Sequence, residues 1–345
     1  MTDLEHRLAE RTLELCAIPS PIGEELAICD EVEAWAKGQR LPVRREHNSL
    51  IVEGAKPFAL VGHLDTVPGH PQASRSRREG PRLYGRGASD MKGGLAVMQA
   101  LLEDLPAAAR PQAIFYEREE GPYAENGLEP LFSKGLLPKL QLAICLEPTD
   151  NRLELGCLGS LHATVRFRGK NAHSARPWEG ENAIPKAADL LTRLATLPRK
   201  PVVCGGLTFY EVTEVTRAHG GQARNVIPDL FELNLNHRFA PGVTLEQAQA
   251  QVRALVGPSA ELEFTDLSPS GPVCDTNPEV QRLIGQGLST AAKQAWTDVA
   301  RFAVHGIDAV NFGPGQPAQA HQVDEWCDIP SLGRAYESLR RWLTP

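Results

Sequence analysis

The chain has 345 residues, 42% apolar and 23% charged, which suits a soluble globular protein of about two domains. Its net charge is −7 and its pI about 5.9, and an acidic surface repels phosphate backbones, so no nucleic acid is expected as a partner. No apolar run approaches the ~20 residues that cross a bilayer, the polar start MTDLEHRLAE does not read as a signal peptide, and seven scattered cysteines without a CxxC pair fit a reducing cytoplasm better than a disulfide framework.

Thr2 and Glu5 stand at capping-box spacing, and Leu4, Leu8 and Leu15 then mark one helical face. A second helix is predicted over 24–37. Four short apolar runs read as buried strands, at 58–62, 113–116, 142–146 and 309–312. Helices are predicted between and after them, at 91–105, 278–293 and 330–343. Together they predict an α/β sheet covered on both faces. The middle of the chain differs. It reads as a strand at 161–168, a helix at 182–197, strands at 207–216 and 230–239, a helix at 244–256 and a strand at 261–265. That β-α-β-β-α-β order is ferredoxin-like, and it predicts an α+β unit at 159–266 inserted into the α/β domain.

Polar residues gather where the buried strands end. His63 and Asp65 follow the first, Glu119 and Glu120 the second, and Glu147 the third. His321 comes soon after the fourth, and Asp90 sits between two glycine-rich stretches. Open α/β sheets bind ligands at the carboxyl ends of their strands. Two histidines and three carboxylates can hold two zinc-class ions if one carboxylate bridges. Such ions sit about 3.5–4 Å apart and activate water, and a spare carboxylate can serve as general base. Asp65, two residues beyond His63 on a strand, points to the same side and can fix its tautomer. Taken singly, each residue reads first as a cap or a solvated loop side chain, and it is their conjunction in one layer that points to a metal. The glycine-rich stretches lack the GxxxxGK[ST] spacing of a phosphate loop.

The stretches GHLDTVPG (62–69), GRGASDMKGG (85–94), EREEG (117–121), LEPT (146–149) and AHQVDE (320–325) together resemble the motifs of the co-catalytic dizinc aminoacylase and carboxypeptidase superfamily. Further stretches are similar to the branch that cleaves N-succinyl-LL-2,6-diaminopimelate: AHSARPWEGENAI (172–184), ARNVIPD (223–229), NHRFAPG (236–242), WTDVARF (296–302) and AVNFGPG (309–315). The resemblance covers almost the whole chain. It implies a zinc-peptidase-like three-layer α/β catalytic domain at 1–158 and 267–345, with an inserted ferredoxin-like lid and dimerisation domain at 159–266. It implies two Zn²⁺ per subunit, replaceable by Co²⁺ or Mn²⁺. Asp90 would bridge, His63 and Glu147 would bind one ion, and Glu120 and His321 the other. Glu119 would be the general acid/base and Asp65 would orient His63.

The same resemblance places His173 and Asn225 at lid positions that complete the site, typically from the other subunit of a homodimer. Arg238 matches a substrate-binding position, and Arg176 and Arg301 lie in motif stretches. Arginine suits a substrate with several carboxylates. Thr297, Gly313 and Gly315 would add a hydroxyl and backbone amides. Leu158 departs from the pattern, standing where better-known relatives carry an arginine for a substrate carboxylate. The expected partner is a small N-acyl amino acid, with no membrane involved. The expected reaction is hydrolysis of its amide to succinate and LL-2,6-diaminopimelate. An N-acetylornithine deacetylase or another acyl-amino-acid deacylase or carboxypeptidase would use the same metal set. A non-catalytic metal-binding protein would not need Glu119.

Overall fold

The computed structural model describes residues 1–69 and 75–344. The chain divides into two compact units. The first comprises Met1–Gly156, Pro272–Lys293 and Thr297–Pro345; the second comprises Cys157–Gly271 with Gln294–Trp296.

Among the described residues, the first unit is built on an eight-stranded sheet. Its order is Val43–Glu46, Ser49–Val52, Gln112–Tyr116, Phe58–His63, Leu142–Cys145, Ala309–Asn311, Leu153–Leu155 and Thr290–Ala292. The four strands from Gln112–Tyr116 to Ala309–Asn311 run parallel, so their carboxyl ends open on one edge. They are buried along their length, as apolar runs covered on both faces should be. On one face Trp35 meets Phe115 edge-on at 6.3 Å and Phe58 packs on Trp342 at 4.6 Å. These contacts seat the helices Leu26–Gly38 and Ile329–Leu343. The helix Gly93–Asp104 shares that face. A Cβ at Gly62 would lie 2.6 Å from the Leu95 side chain, so glycine is what lets this helix approach. On the other face lie Leu128–Ser133 and Val299–Val304, joined by Phe132 against Phe302 at 5.2 Å. The first unit is therefore the expected three-layer α/β arrangement.

The second unit carries a five-stranded antiparallel sheet in the order Lys200–Cys204, Leu207–Gly220, Leu230–Phe239, Gly159–Arg168 and Glu261–Ser268. Helices Ala188–Ala195 and Leu245–Val256 pack on one face, on a core that includes Leu161, Val165, Phe167, Leu233, Leu235 and Phe239. The alternate residues His162, Thr164, Asn234, Asn236 and Arg238 are less buried and polar, which is the period-2 pattern expected of a sheet with one wet face. This is the ferredoxin-like order, extended at one edge by Lys200–Cys204.

Caps and breaks explain most boundaries. Both arms of the capping boxes at Thr2–Glu5 and Thr244–Gln247 are formed. The predicted helix at 278–293 is a helix only over Pro278–Gly285. Gly287 adopts φ +93°, which the left-handed region reserves largely for glycine, and the chain then becomes the edge strand Thr290–Ala292. The predicted helix at 91–105 begins at Gly93, because Asp90 and Met91 hold non-helical backbone angles. The strand Lys200–Cys204 and the hairpin Val43–Glu46 with Ser49–Val52 were not anticipated. Each strand has only four or five residues; an arginine pair masks the pattern of Val43–Glu46 and a proline that of Lys200–Cys204.

Gly159 begins a ten-residue inner strand of the second unit's sheet, opposite Phe239, and a Cβ there would fall 2.1 Å from that ring. We expect Gly159→Ala to destabilise the protein by about 1–3 kcal/mol through overpacking, read as a lower urea midpoint with an unchanged m-value.

Candidate metal centre and active site

The four parallel strands deliver their last residues to one sheet edge. His63 ends its strand in register with Tyr116, so the segment after Tyr116 begins beside the imidazole. Val61 pairs with Cys145, which brings Glu147 alongside. Asp65, fully buried, stitches two of these segments together. Its Oδ1 accepts the Glu119 amide at 3.0 Å and its Oδ2 accepts the Glu120 amide at 2.9 Å. The His63 Nδ1 lies 3.0 Å from the Asp65 carbonyl oxygen and 3.6 Å from its Oδ1. A carbonyl only accepts, so Nδ1 carries the proton and Nε2 offers its lone pair.

That Nε2 lies 3.2 Å from Asp90 Oδ1 and 3.9 Å from Glu147 Oε1. On the opposite side, His321 Nε2 lies 3.0 Å from Glu120 Oε1 and 3.6 Å from Asp90 Oδ2. Asp90 thus turns one carboxylate oxygen to each histidine, and each histidine is backed by a glutamate. Ligand atoms of His63, Asp90 and Glu120 lie within 4.8 Å of one another, a grouping that could hold a metal ion. His321 is the one exposed member of the set and adopts φ +66°.

The electrostatics suit a cation. Burial raises the Glu147 carboxyl to about 7, and the Asp90 charge adds to the effect. Burial holds the Glu119 carboxyl well above its ordinary value, with Glu147 and Glu120 raising it further against the pull of His63. Burial also raises Glu120, although His321 opposes it. For His63, burial disfavours the charged ring, but hydrogen bonds to Asp65 and Asp90 outweigh it and the pKa lies well above the usual imidazole value. Buried carboxylates crowded in this way must share protons or a cation. Imidazole nitrogens and carboxylate oxygens are a donor set that zinc accepts.

The remaining sequence-predicted residues separate into two groups. Thr297, Arg301, Gly313 and Gly315 belong to the first unit. Arg301 is 1% exposed, and its guanidinium is consumed within the fold. It donates to Asp298 Oδ1 at 3.0 Å, Glu129 Oε2 at 3.0 Å and the Tyr123 carbonyl at 2.6 Å. Asp298 in turn accepts from Tyr116 and Asn126. The expectation that Arg301 binds substrate is therefore corrected: it clamps the layer beneath the site. The Gly313 amide donates to Thr149 Oγ1 at 3.1 Å and the Gly315 amide to Ser331 Oγ at 3.2 Å, so neither amide is open to a substrate. Gly313 is needed for close packing, since a Cβ would fall 2.4 Å from the Leu146 carbonyl oxygen. Thr297 is buried.

His173, Arg176, Asn225 and Arg238 belong to the second unit. His173 pairs with Val226 in a short antiparallel ribbon, and the Ser174 amide donates to the Asn225 carbonyl, so the exposed His173 and Asn225 are neighbours. The Ala175 amide donates to His173 Nδ1 at 3.1 Å, which leaves Nε2 as the donor. Arg176 is exposed and lies 4.0 Å from Glu179. Arg238 donates from Nε to Asn236 Oδ1 at 2.9 Å on the polar face of the sheet.

Glu325 escaped the sequence reading. It is 2% exposed and lies against the Asp90 segment, but nothing in its spacing marks it as more than the end of a motif.

Residues 59–344 match peptidase family M20/M25/M40, and the chain belongs to that family. It is 38% identical to a Mycobacterium tuberculosis protein provisionally called succinyl-diaminopimelate desuccinylase DapE, over 99% of each chain. It is 35% identical to the succinyl-diaminopimelate desuccinylase of Corynebacterium glutamicum, over 96% of this chain and 95% of that one. Among solved structures, a Staphylococcus aureus tripeptidase shares the fold with a TM-score of 0.79 at 22% identity, over 98% of this chain and 97% of that one.

We expect Arg301→Met to destabilise the protein by about 3–5 kcal/mol, because it leaves the buried Asp298 carboxylate without its cation. Urea unfolding measures the loss. The folded fraction should keep the wild-type metal stoichiometry, and a KM defect in a fully stable variant would return Arg301 to the substrate site.

Proposed function

We propose that this protein is a dinuclear metal-dependent amidohydrolase that cleaves N-succinyl-LL-2,6-diaminopimelate to succinate and LL-2,6-diaminopimelate. The observation that carries the reading is Asp90, with one oxygen facing His63 and the other facing His321. The substrate follows from the likeness to desuccinylases over nearly the full chain.

His63, Asp90 and Glu147 would hold one Zn²⁺, and His321, Asp90 and Glu120 the other; Co²⁺ or Mn²⁺ can use the same donors. When bound, the metals polarise the amide carbonyl and lower the pKa of water. Glu119, kept basic enough by burial to take and return a proton, accepts one from the attacking water. It delivers that proton to the amide nitrogen as the C–N bond breaks, leaving a carboxylate and an amine. Asp65 holds the Glu119 and Glu120 amides and the His63 tautomer, so the base and two ligands move as one piece. His173 presents an Nε2 donor suited to charge developing on the carbonyl oxygen, with Asn225 beside it. We assign Arg176 and Arg238 as the guanidinium groups that take substrate carboxylates. We assign residues 159–266 as the lid and as the contact of a homodimer. We place the enzyme in a reducing cytoplasm, where its seven thiols, none of them in a disulfide, are stable.

One observation favours a second reading. Leu158 is a buried apolar residue, 2% exposed, at a position where the family resemblance implies an arginine for the succinyl carboxylate. An N-acyl-amino-acid deacylase of smaller acyl preference, such as an N-acetylornithine deacetylase, has the same metal chemistry.

Side-by-side hydrolysis of N-succinyl-LL-diaminopimelate and N-acetylornithine, with Zn²⁺ or Co²⁺ supplied and amine release followed, separates the two. Preference for the succinyl substrate supports the proposal; preference for acetylornithine transfers the mechanism to the second reading. Glu119→Gln should lower kcat by about 10²–10⁴-fold while two metal ions still bind. Near-full activity in this variant would remove the acid/base assignment. His173→Ala should lower kcat with metal content unchanged, and parallel loss of both would make His173 structural.

A further inference from the structure

The segment that carries Asp90 does not follow the helix it precedes. Asp90 and Met91 sit at φ/ψ of −120°/91° and −133°/35°, and only from Gly93 does the chain run as a regular helix. The amides of this segment converge instead on one buried side chain. Glu325 Oε1 accepts the Ser89 amide at 2.9 Å and the Asp90 amide at 2.9 Å. Glu325 Oε2 accepts the Gly87 amide at 2.9 Å. The Gly85 amide donates to the Glu325 carbonyl at 3.0 Å, and Ser89 Oγ donates to the Trp326 carbonyl at 2.7 Å. Arg86 Nη1 is more distant from the carboxylate, at 3.4 Å, and donates to the Gln322 carbonyl at 3.0 Å.

We propose that Glu325 is a positioning residue for the metal centre, fixing the backbone at Ser89 and Asp90 so that the Asp90 carboxylate bridges. It stands four residues beyond His321, so one side chain ties the segment bearing the bridging carboxylate to the segment bearing an outer ligand. Asp65 does the equivalent on the other side, where it ties His63 to Glu119 and Glu120. Two buried carboxylates, neither a ligand, thus lock the ligand-bearing segments in pairs. The chemistry requires a carboxylate. Three N–H groups on two oxygens need acceptor-only atoms, and a glutamine would turn an NH₂ donor toward one of them. Orienting partners of this kind typically carry a 10–100-fold share of metal affinity.

The inference rests on the dinuclear reading of Asp90, and one experiment separates their failures. Metal-free full-length protein is titrated with Zn²⁺ by calorimetry, and the Co²⁺ form is followed by its visible absorption. Wild type that binds no more than one ion overturns the dinuclear reading itself. With two ions bound by wild type, Glu325→Gln should weaken both together by about 10–100-fold, because the shared ligand is displaced. It should also alter the Co²⁺ spectrum. Arg86→Met should stay within about threefold of wild type, because the amides and not the ion pair carry the effect. Wild-type affinity at both sites in Glu325→Gln overturns the proposal. So does an Arg86→Met loss as large as that of Glu325→Gln. If Glu325→Gln does not fold, hydrogen exchange in metal-free wild type decides. The amides of Gly87, Ser89 and Asp90 should be protected, and fast exchange at all three overturns the proposal.

Discussion

Negative charge gathered at one poorly solvated sheet edge is the constraint on which the rest of the structure depends. Asp65, Asp90, Glu119, Glu120 and Glu147 share that edge, and burial, with the Asp90 charge beside it, raises the Glu147 carboxyl to about 7. No arrangement of apolar residues could hold these groups together against their mutual repulsion. The fold does so by giving each carboxylate a different task. Asp65 and Glu325 are spent on backbone amides, Asp90, Glu120 and Glu147 face histidine nitrogens, and Glu119 carries a backbone amide fixed by Asp65. The remaining repulsion is what a divalent cation would relieve, so the affinity for metal is built from the same crowding that would otherwise destabilise the site.

The parallel sheet is what makes that crowding possible. Four neighbouring strands end at the same edge; three of them contribute His63 and Asp65, Glu119 and Glu120, and Glu147 at or just beyond their ends, and the loop after the fourth carries His321. Beneath this layer the buried Asp298–Arg301 pair, with Tyr116 and Asn126, forms a satisfied network that Glu129 closes on its outer side. Its position directly after the WTD stretch explains why a substrate arginine was expected there: the motif is real, but its guanidinium faces inward. The glycines at 313 and 315 show the same shift of role. They serve close approach of chain to chain, and their amides are consumed by Thr149 and Ser331.

The second unit contributes a different surface. Its core-facing residues are almost all aliphatic or aromatic, while the opposite sheet face is lined with histidine, asparagine and arginine. His173 and Asn225 lie on a separate two-stranded ribbon. There a backbone amide fixes the histidine tautomer and leaves a donor outward. The unit thus presents polar groups from one face of its sheet and from the ribbon.

Much of this was determined by the sequence alone. Period-2 and continuous apolar runs specify which strands are half-wet and which are buried, the capping boxes specify helix starts, and the conjunction of His63, Asp90, Glu120, Glu147 and His321 singles out one sheet edge. These signals are local or additive along the chain, so they survive without coordinates. What only the tertiary structure decided is non-local. It decided that Asp90 faces two histidines at once, that Arg301 points into a buried clamp, and that Glu325 gathers three amides from a segment more than two hundred residues away. Side-chain direction and hydrogen-bond partner depend on which segments fold against each other, and residue type and spacing do not encode that choice.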